Sequence, residues 1–96
     1  MIMKTFEDLV FEPHPITECG IEKYKDCKHA SINFDNNYGV SVIFGTAFYS
    51  NGIDTYELAV LFENSLCYPS EIGNDVLAYI TKEEVTEAMV KVQQLK

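Results

Sequence analysis

Apolar side chains recur at every second position in two stretches of the chain. Val40, Val42, Phe44 and Phe48 form one stripe, and Tyr56, Leu58, Val60 and Phe62 form another. Successive side chains of a β-strand point to opposite faces, so each stretch predicts a strand with one apolar face. Between them lies Ser50-Asn51-Gly52, rich in turn-forming residues. Residues 39–62 therefore predict the central hairpin of an antiparallel sheet.

Parity restricts how this hairpin can close. Burying both stripes together sets even-numbered residues opposite even-numbered ones, because a slip of one residue inverts every side chain. Asn-Gly is a strong signal for a two-residue turn, yet such a turn would pair Phe48 with Thr55. Two solutions satisfy the parity. The loop has an odd length, or a two-residue turn is kept and a bulge near Gly45 resets the register. A three-residue loop would put β-branched Ile53 near a left-handed conformation, which favours the bulge. Either solution places Phe44 roughly opposite Val60.

The flanking segments extend the sheet. Ala30, Ile32 and Phe34 alternate, and Asp35 to Gly39 read as a turn of odd length with Phe34 opposite Val40. Asn64-Ser65 turns the chain into a short last strand at Leu66, Cys67 and Tyr68. Thr5 to Asp8 predict one helical turn, followed by a short strand over residues 9–12. Pro13 and Pro15 make the next stretch an edge or an extended connection. Residues 17–28 read as loop, with strand character near residues 21–24. Residues 76–79 predict a second helical turn.

The strongest local signal lies near the C-terminus. Thr81 and Glu84 fit a capping box, with Ile80 and Val85 placed as a hydrophobic staple. Val85, Ala88, Met89 and Val92 recur at helical spacing and form one stripe, extended by Leu95. Glu87 and Lys91 are spaced as an i,i+4 pair. A helix this short is marginal alone, so its stripe must cover the face carrying Val42, Phe44, Leu58 and Val60. The expected fold is a single two-layer α+β domain over residues 1–96, a four- or five-stranded antiparallel meander with a C-terminal helix on one face. The second face carries Ile43, Ala47, Tyr49, Ala59 and Leu61. It is either covered by residues 1–24 or free as a contact surface.

Charge narrows the functional classes. The chain has a net charge of −8 and no Arg. Residues 35–87 hold nine acids against one base, Lys82. Nucleic acid and anionic membranes need clustered Lys and Arg, so neither is an expected partner. An acidic surface suits a basic protein partner or the imitation of a nucleic acid. Three Cys without an apolar leader-like stretch point to a reducing, cytoplasmic setting. No run is long enough to span a membrane.

No set of residues demands catalysis. Cys19, Cys27 and His29 lack the tight knuckle spacing of a structural zinc site, and neither a metal nor a cofactor is expected. Cys27 and His29 could share a strand face, but a nucleophile needs an activating environment. Glu83 and Glu84 suit the first turn of a helix, Asp54 and Glu57 follow the hairpin turn, and no carboxylate pair requires acid–base chemistry. Tyr38 and Tyr49 fall at or near turns, where Tyr serves interfaces well. The candidate interaction surface is therefore Tyr38, Tyr49, Asp54, Glu57, Glu83 and Glu84.

Longer motifs carry a resemblance. Thr5-Phe-Glu-Asp-Leu9 is followed by Phe11-x-Pro-His-Pro15, Asn37-Tyr-Gly-Val-Ser-Val-Ile43 and Asp54-Thr-Tyr-Glu-Leu-Ala-Val-Leu61. Ile72-x-x-Asp-Val-Leu-x-Tyr-Ile-Thr-x-Glu-Glu-Val85 completes the pattern. Together these resemble a family of small uncharacterised proteins of phages and prophages. The resemblance implies an accessory protein acting inside a bacterium by binding a host or phage protein, and it supplies no catalytic residue. The expected function is thus a non-enzymatic protein-binding module for a basic partner. The alternative is an assembly protein that dimerises through the second sheet face.

Overall fold

The computed structural model describes residues 3–13, 27–45, 48, 50–67 and 77–95. A single 3-10 turn, Phe6–Asp8, precedes strands β1 (Glu12–Pro13), β2 (Lys28–Asn33), β3 (Tyr38–Phe44), β4 (Tyr56–Phe62), β5 (Ser65–Cys67) and β6 (Leu77–Ile80), and helix α1 (Lys82–Gln93) closes the domain. The strands form one antiparallel sheet in the order β1-β2-β3-β4-β5, with β6 also paired to β4. One edge of β4 is thus shared, β5 pairing with its C-terminal half and β6 with its N-terminal half. The expected two-layer α+β architecture is the one observed.

The even-numbered stripes meet α1. Val40, Val42, Leu58 and Val60 are buried against Val85, Ala88, Met89 and Val92. The capping box forms as the sequence predicts. Thr81 N–H donates to Glu84 Oε1 at 3.0 Å, and Glu84 N–H donates to Thr81 Oγ1 at 3.3 Å. Ile80 and Val85, on either side of this cap, both enter the core. The Glu87–Lys91 pair stands at 3.9 Å on an exposed face, where it stabilises the helix little.

The registers differ from expectation. Val40 faces Val60 and Val42 faces Leu58, which brings the Phe44 ring to 5.4 Å from Tyr56 rather than beside Val60. Parity holds and the partner shifts, because the β3–β4 connection is neither a tight turn nor a bulged hairpin. It runs over residues 45–55, eleven in all. Asn51 organises its second half. Asn51 Oδ1 accepts from the N–H groups of Ile53, Asp54 and Thr55 at 2.9, 3.0 and 3.1 Å. The Ser50 hydroxyl, which is buried, accepts from Gly45 N–H and Gly52 N–H and donates to the Thr55 carbonyl. Side-chain hydrogen bonds of this kind offer the backbone an alternative to the ladder. Gly45 therefore ends β3 instead of bulging within it. It has φ +144°, and a Cβ there would sit 2.7 Å from Cys27 Sγ.

The other turns shift in the same manner. Ile32, not Phe34, faces Val40. Asp35, Asn36 and Asn37 form a three-residue loop with Asn37 at φ 72°, the left-handed close that such loops use. Glu63 and Asn64, at φ 51° and 70°, make a two-residue turn of the I′ kind, one residue earlier than expected. The two turns are tied together, with Glu63 N–H donating to the Asn37 carbonyl at 2.9 Å and Asn33 Nδ2 to Asn64 Oδ1 at 3.1 Å.

Residues 77–79, expected as a helical turn, belong to β6. Tyr56 pairs with Ile80 and Leu58 with Leu77, so β6 holds one extra residue. Tyr79 absorbs it at φ 55°, the left-handed conformation that one class of bulge uses. The bulge breaks the alternation that would have marked the strand. Pro13 lies in β1 at the sheet edge, where its missing donor does no harm.

The N-terminal segment takes the opposite side from the one expected. Phe6, Leu9 and Phe11 pack against the core beside α1 rather than over the second face. Three hydrogen bonds strap residues 4–6 to the helix. Lys4 N–H donates to Gln93 Oε1 and Gln93 Nε2 to the Lys4 carbonyl, both at 2.8 Å, while Phe6 N–H donates to Thr86 Oγ1 at 3.0 Å. Residues 14–24, the rest of that expected cover, lie outside the described residues.

Candidate functional site

Among the described residues, the proposed interaction residues do not form one surface. Tyr38 stands at the turn end of the sheet, its ring 4.8 Å from Phe62. Asp54, Glu83 and Glu84 belong to the opposite end, where β4 and α1 begin. Six strand residues, about 20 Å, separate these ends. Glu57 faces Ile43 across the β3–β4 ladder and is half-buried on the second sheet face. Tyr49 lies outside the described residues. Tyr38 follows one connection and Asp54 belongs to another, but connections occur at both ends of a sheet, and only the register says which.

A groove between β6 and α1 takes in one of them, Glu84. It is lined by Leu77, Ile80, Glu84, Glu87, Ala88 and Lys91 and encloses about 210 Å³. Helical geometry explains the rim, since Glu84, Glu87, Ala88 and Lys91 fall three or four residues apart on one flank of α1. The β6 bulge explains the floor, because it lets Leu77 and Ile80 both reach the helix side. Ile80 and Ala88 are buried and Leu77 half-buried. One carboxylate oxygen of Glu84 caps the helix, and the cap does not use the other. Among the described residues, the Glu87 carboxylate is engaged by one ion pair, the long contact to Lys91.

Chemically, an apolar floor beside two carboxylates fits a Lys or Arg side chain. The stem lies on the floor and the cationic head meets the acids. Sequence reading named Glu84 for this purpose and took Glu87 as a helix-stabilising partner of Lys91. It took Ile80 as a staple residue and Leu77 as part of a helical turn, whereas β-branched and aromatic enrichment over residues 76–80 could have marked both as strand.

The cysteines and histidines offer less. Cys27 is buried against Gly45, and Cys67 is half-buried. His29 Nε2 and Ser41 Oγ are hydrogen-bonded at 3.1 Å on the second face. Among the described residues no three His, Cys, Asp or Glu side chains converge as metal ligands do. No described helix is long and apolar enough to cross a membrane. Comparison with known proteins found no matching family model, no similar curated protein and no similar solved structure.

Proposed function

We propose that this chain is a non-enzymatic accessory module of phage or prophage origin that binds another protein through a basic surface of that partner. The observation that carries the reading is the groove between β6 and α1, with its apolar floor at Leu77 and Ile80 and its carboxylates at Glu84 and Glu87. It matches the amphipathic build of a Lys or Arg side chain. The surplus of acids over residues 35–87 supports the same reading, because a field of one sign speeds encounter with an oppositely charged partner. Lys91 then acts as a built-in competitor that the partner's cation displaces.

Co-purification from a bacterial host at low and moderate salt tests the proposal. The expected result is a stoichiometric partner retained by the wild type and lost by the combined Glu84→Gln, Glu87→Gln variant, with Lys91→Ala retaining more. Glutamine keeps the capping oxygen at position 84, so the helix survives. A chain that emerges alone at both salt concentrations would sink the idea.

A second reading rests on the sheet face away from α1. Leu66 is 62% exposed there, beside its ladder partner Leu61. A second copy pairing on this face would make the chain a homodimeric assembly protein. Light scattering decides it, since a strict monomer at high concentration excludes this role.

A further inference from the structure

We propose that the cleft at the Phe44 end of the sheet binds a small planar aromatic anion, its ring against Phe11, Phe44 and Tyr56 and its acidic group held by Lys28 and Lys82. This site is separate from the Glu84–Glu87 groove and does not depend on it.

The cleft is lined by Phe11, Lys28, Phe44, Ile53, Tyr56 and Lys82 and encloses about 260 Å³. That is small for a drug-sized ligand and suits one or two fused rings. Three rings line it, and a fourth, Phe6, packs on Tyr56. Phe6, Phe11 and Phe44 each stand within 5.8 Å of Tyr56, centroid to centroid. Such walls favour a flat aromatic guest through offset or edge contacts. Ile53 stands beside these rings and is 79% exposed, so a guest there would remove apolar surface from water.

The charges run against the rest of the chain. Acids outnumber bases by fifteen to seven, yet two of the four described lysines line this one cleft. Lys91 has Glu87 within reach. Among the described residues, neither Lys28 nor Lys82 has a carboxylate partner, and Lys82 Nζ instead lies 5.6 Å from the Phe6 ring centroid. Lys82 is also the first residue of α1, where the helix dipole disfavours a cation. Two ammonium groups beside one concavity repel, and one of them opposes a helix end. A bound anion relieves both strains. Asp54 acts on Tyr56 through its charge, so it stands near the cleft and works against an anionic guest.

Titration of the full chain with 2-naphthoate, followed by backbone and side-chain NMR, tests the site. 2-Naphthylmethanol supplies the same ring without charge, and inorganic phosphate supplies charge without a ring. Saturable shifts at Phe11, Phe44 and Tyr56 are expected with naphthoate. Affinity should fall about tenfold when Lys28→Met and Lys82→Met are combined, the size of one or two charge-assisted contacts at a wet surface. Asp54→Asn should tighten binding, and Lys4→Met should leave it unchanged. Both cleft lysines are exposed, so an unaltered spectrum of the free variant confirms its fold. The proposal is overturned by any of four results: equal affinity for the neutral alcohol, equal affinity for phosphate, undiminished binding by the lysine variant, or shifts that map elsewhere or fail to saturate.

Discussion

Phe44 and Tyr56 meet with ring centroids 5.4 Å apart, across a connection of eleven residues that a tight hairpin would have eliminated. This contact closes the open end of the β3–β4 pair. It also makes Tyr56 the centre of an aromatic group that draws in Phe6 and Phe11 from the N-terminal segment. The same residue therefore joins the sheet, the N-terminal strap and the cleft.

Tyr56 should make the domain sensitive to alkali. Burial raises its phenol above the ordinary value of 10.0, and the charge of Asp54 adds to the rise. The folded state then holds this proton longer than the unfolded chain does. The resulting stabilisation is fully present below the unfolded value and is lost as pH rises through the folded one. Tyrosinate absorbance should show a phase above the ordinary value that disappears in Tyr56→Phe. Chemical denaturation should show stability falling above about pH 10, and Tyr56→Phe should lessen that fall. A slope identical in both proteins would refute the assignment.

Gly45→Ala should be costly. The position needs φ +144°, and the new Cβ would lie 2.7 Å from Cys27 Sγ and 3.1 Å from Cys27 Cα. Loss of about 1–3 kcal/mol is expected in urea denaturation. Adding Cys27→Ala removes the sulfur but not the backbone strain, so the double variant should recover part of the loss. Full additivity of the two changes would show that the contact has no weight.

Asn36 should matter more than a turn residue ordinarily does. Its amide donates to the carbonyls of Val92 and Leu95 at 2.9 and 3.0 Å, and its oxygen accepts from Tyr38 N–H at 3.1 Å. It thereby satisfies the end of α1 from the β2–β3 turn. Asn36→Ala should cost about 1–3 kcal/mol and speed hydrogen exchange in residues 93–95. Asn36→Asp keeps the turn oxygen but cannot donate, and it adds a negative charge at the helix C-terminus. It should be at least as destabilising at neutral pH. An Asp variant as stable as the wild type would contradict this role.

Met89 and Lys91 offer a contrast on one helix. Met89 is fully buried against the sheet, so Met89→Ala should cost about 2–5 kcal/mol. Among the described residues the Lys91 side chain makes one ion pair, the exposed 3.9 Å contact to Glu87, so Lys91→Ala should change stability by less than about 0.5 kcal/mol. Thermal unfolding of the two variants separates them, and comparable losses would place the core elsewhere.

Much of the fold was legible in the residue order because its causes are local. Strand alternation put Val40, Val42, Leu58 and Val60 on one face, and helical spacing put Val85, Ala88, Met89 and Val92 on another. Thr81 and Glu84 announced the helix start, since a capping box is complete within four residues. The candidate site was half legible. Glu84 and Ile80 could be named, but the bulge at Tyr79 hid that Leu77 shares a strand side with Ile80.

The sequence by itself determined which side chains share a face and where the helix begins, since those follow from backbone periods and neighbouring hydrogen bonds. Only the tertiary structure decided which strand positions oppose each other, which side the N-terminal aromatics take, and that Lys28 and Lys82 share a cleft. Those outcomes depend on the length and internal bonding of connections such as residues 45–55 and on contacts between segments far apart in the chain. Period and parity restrict such choices without selecting among them.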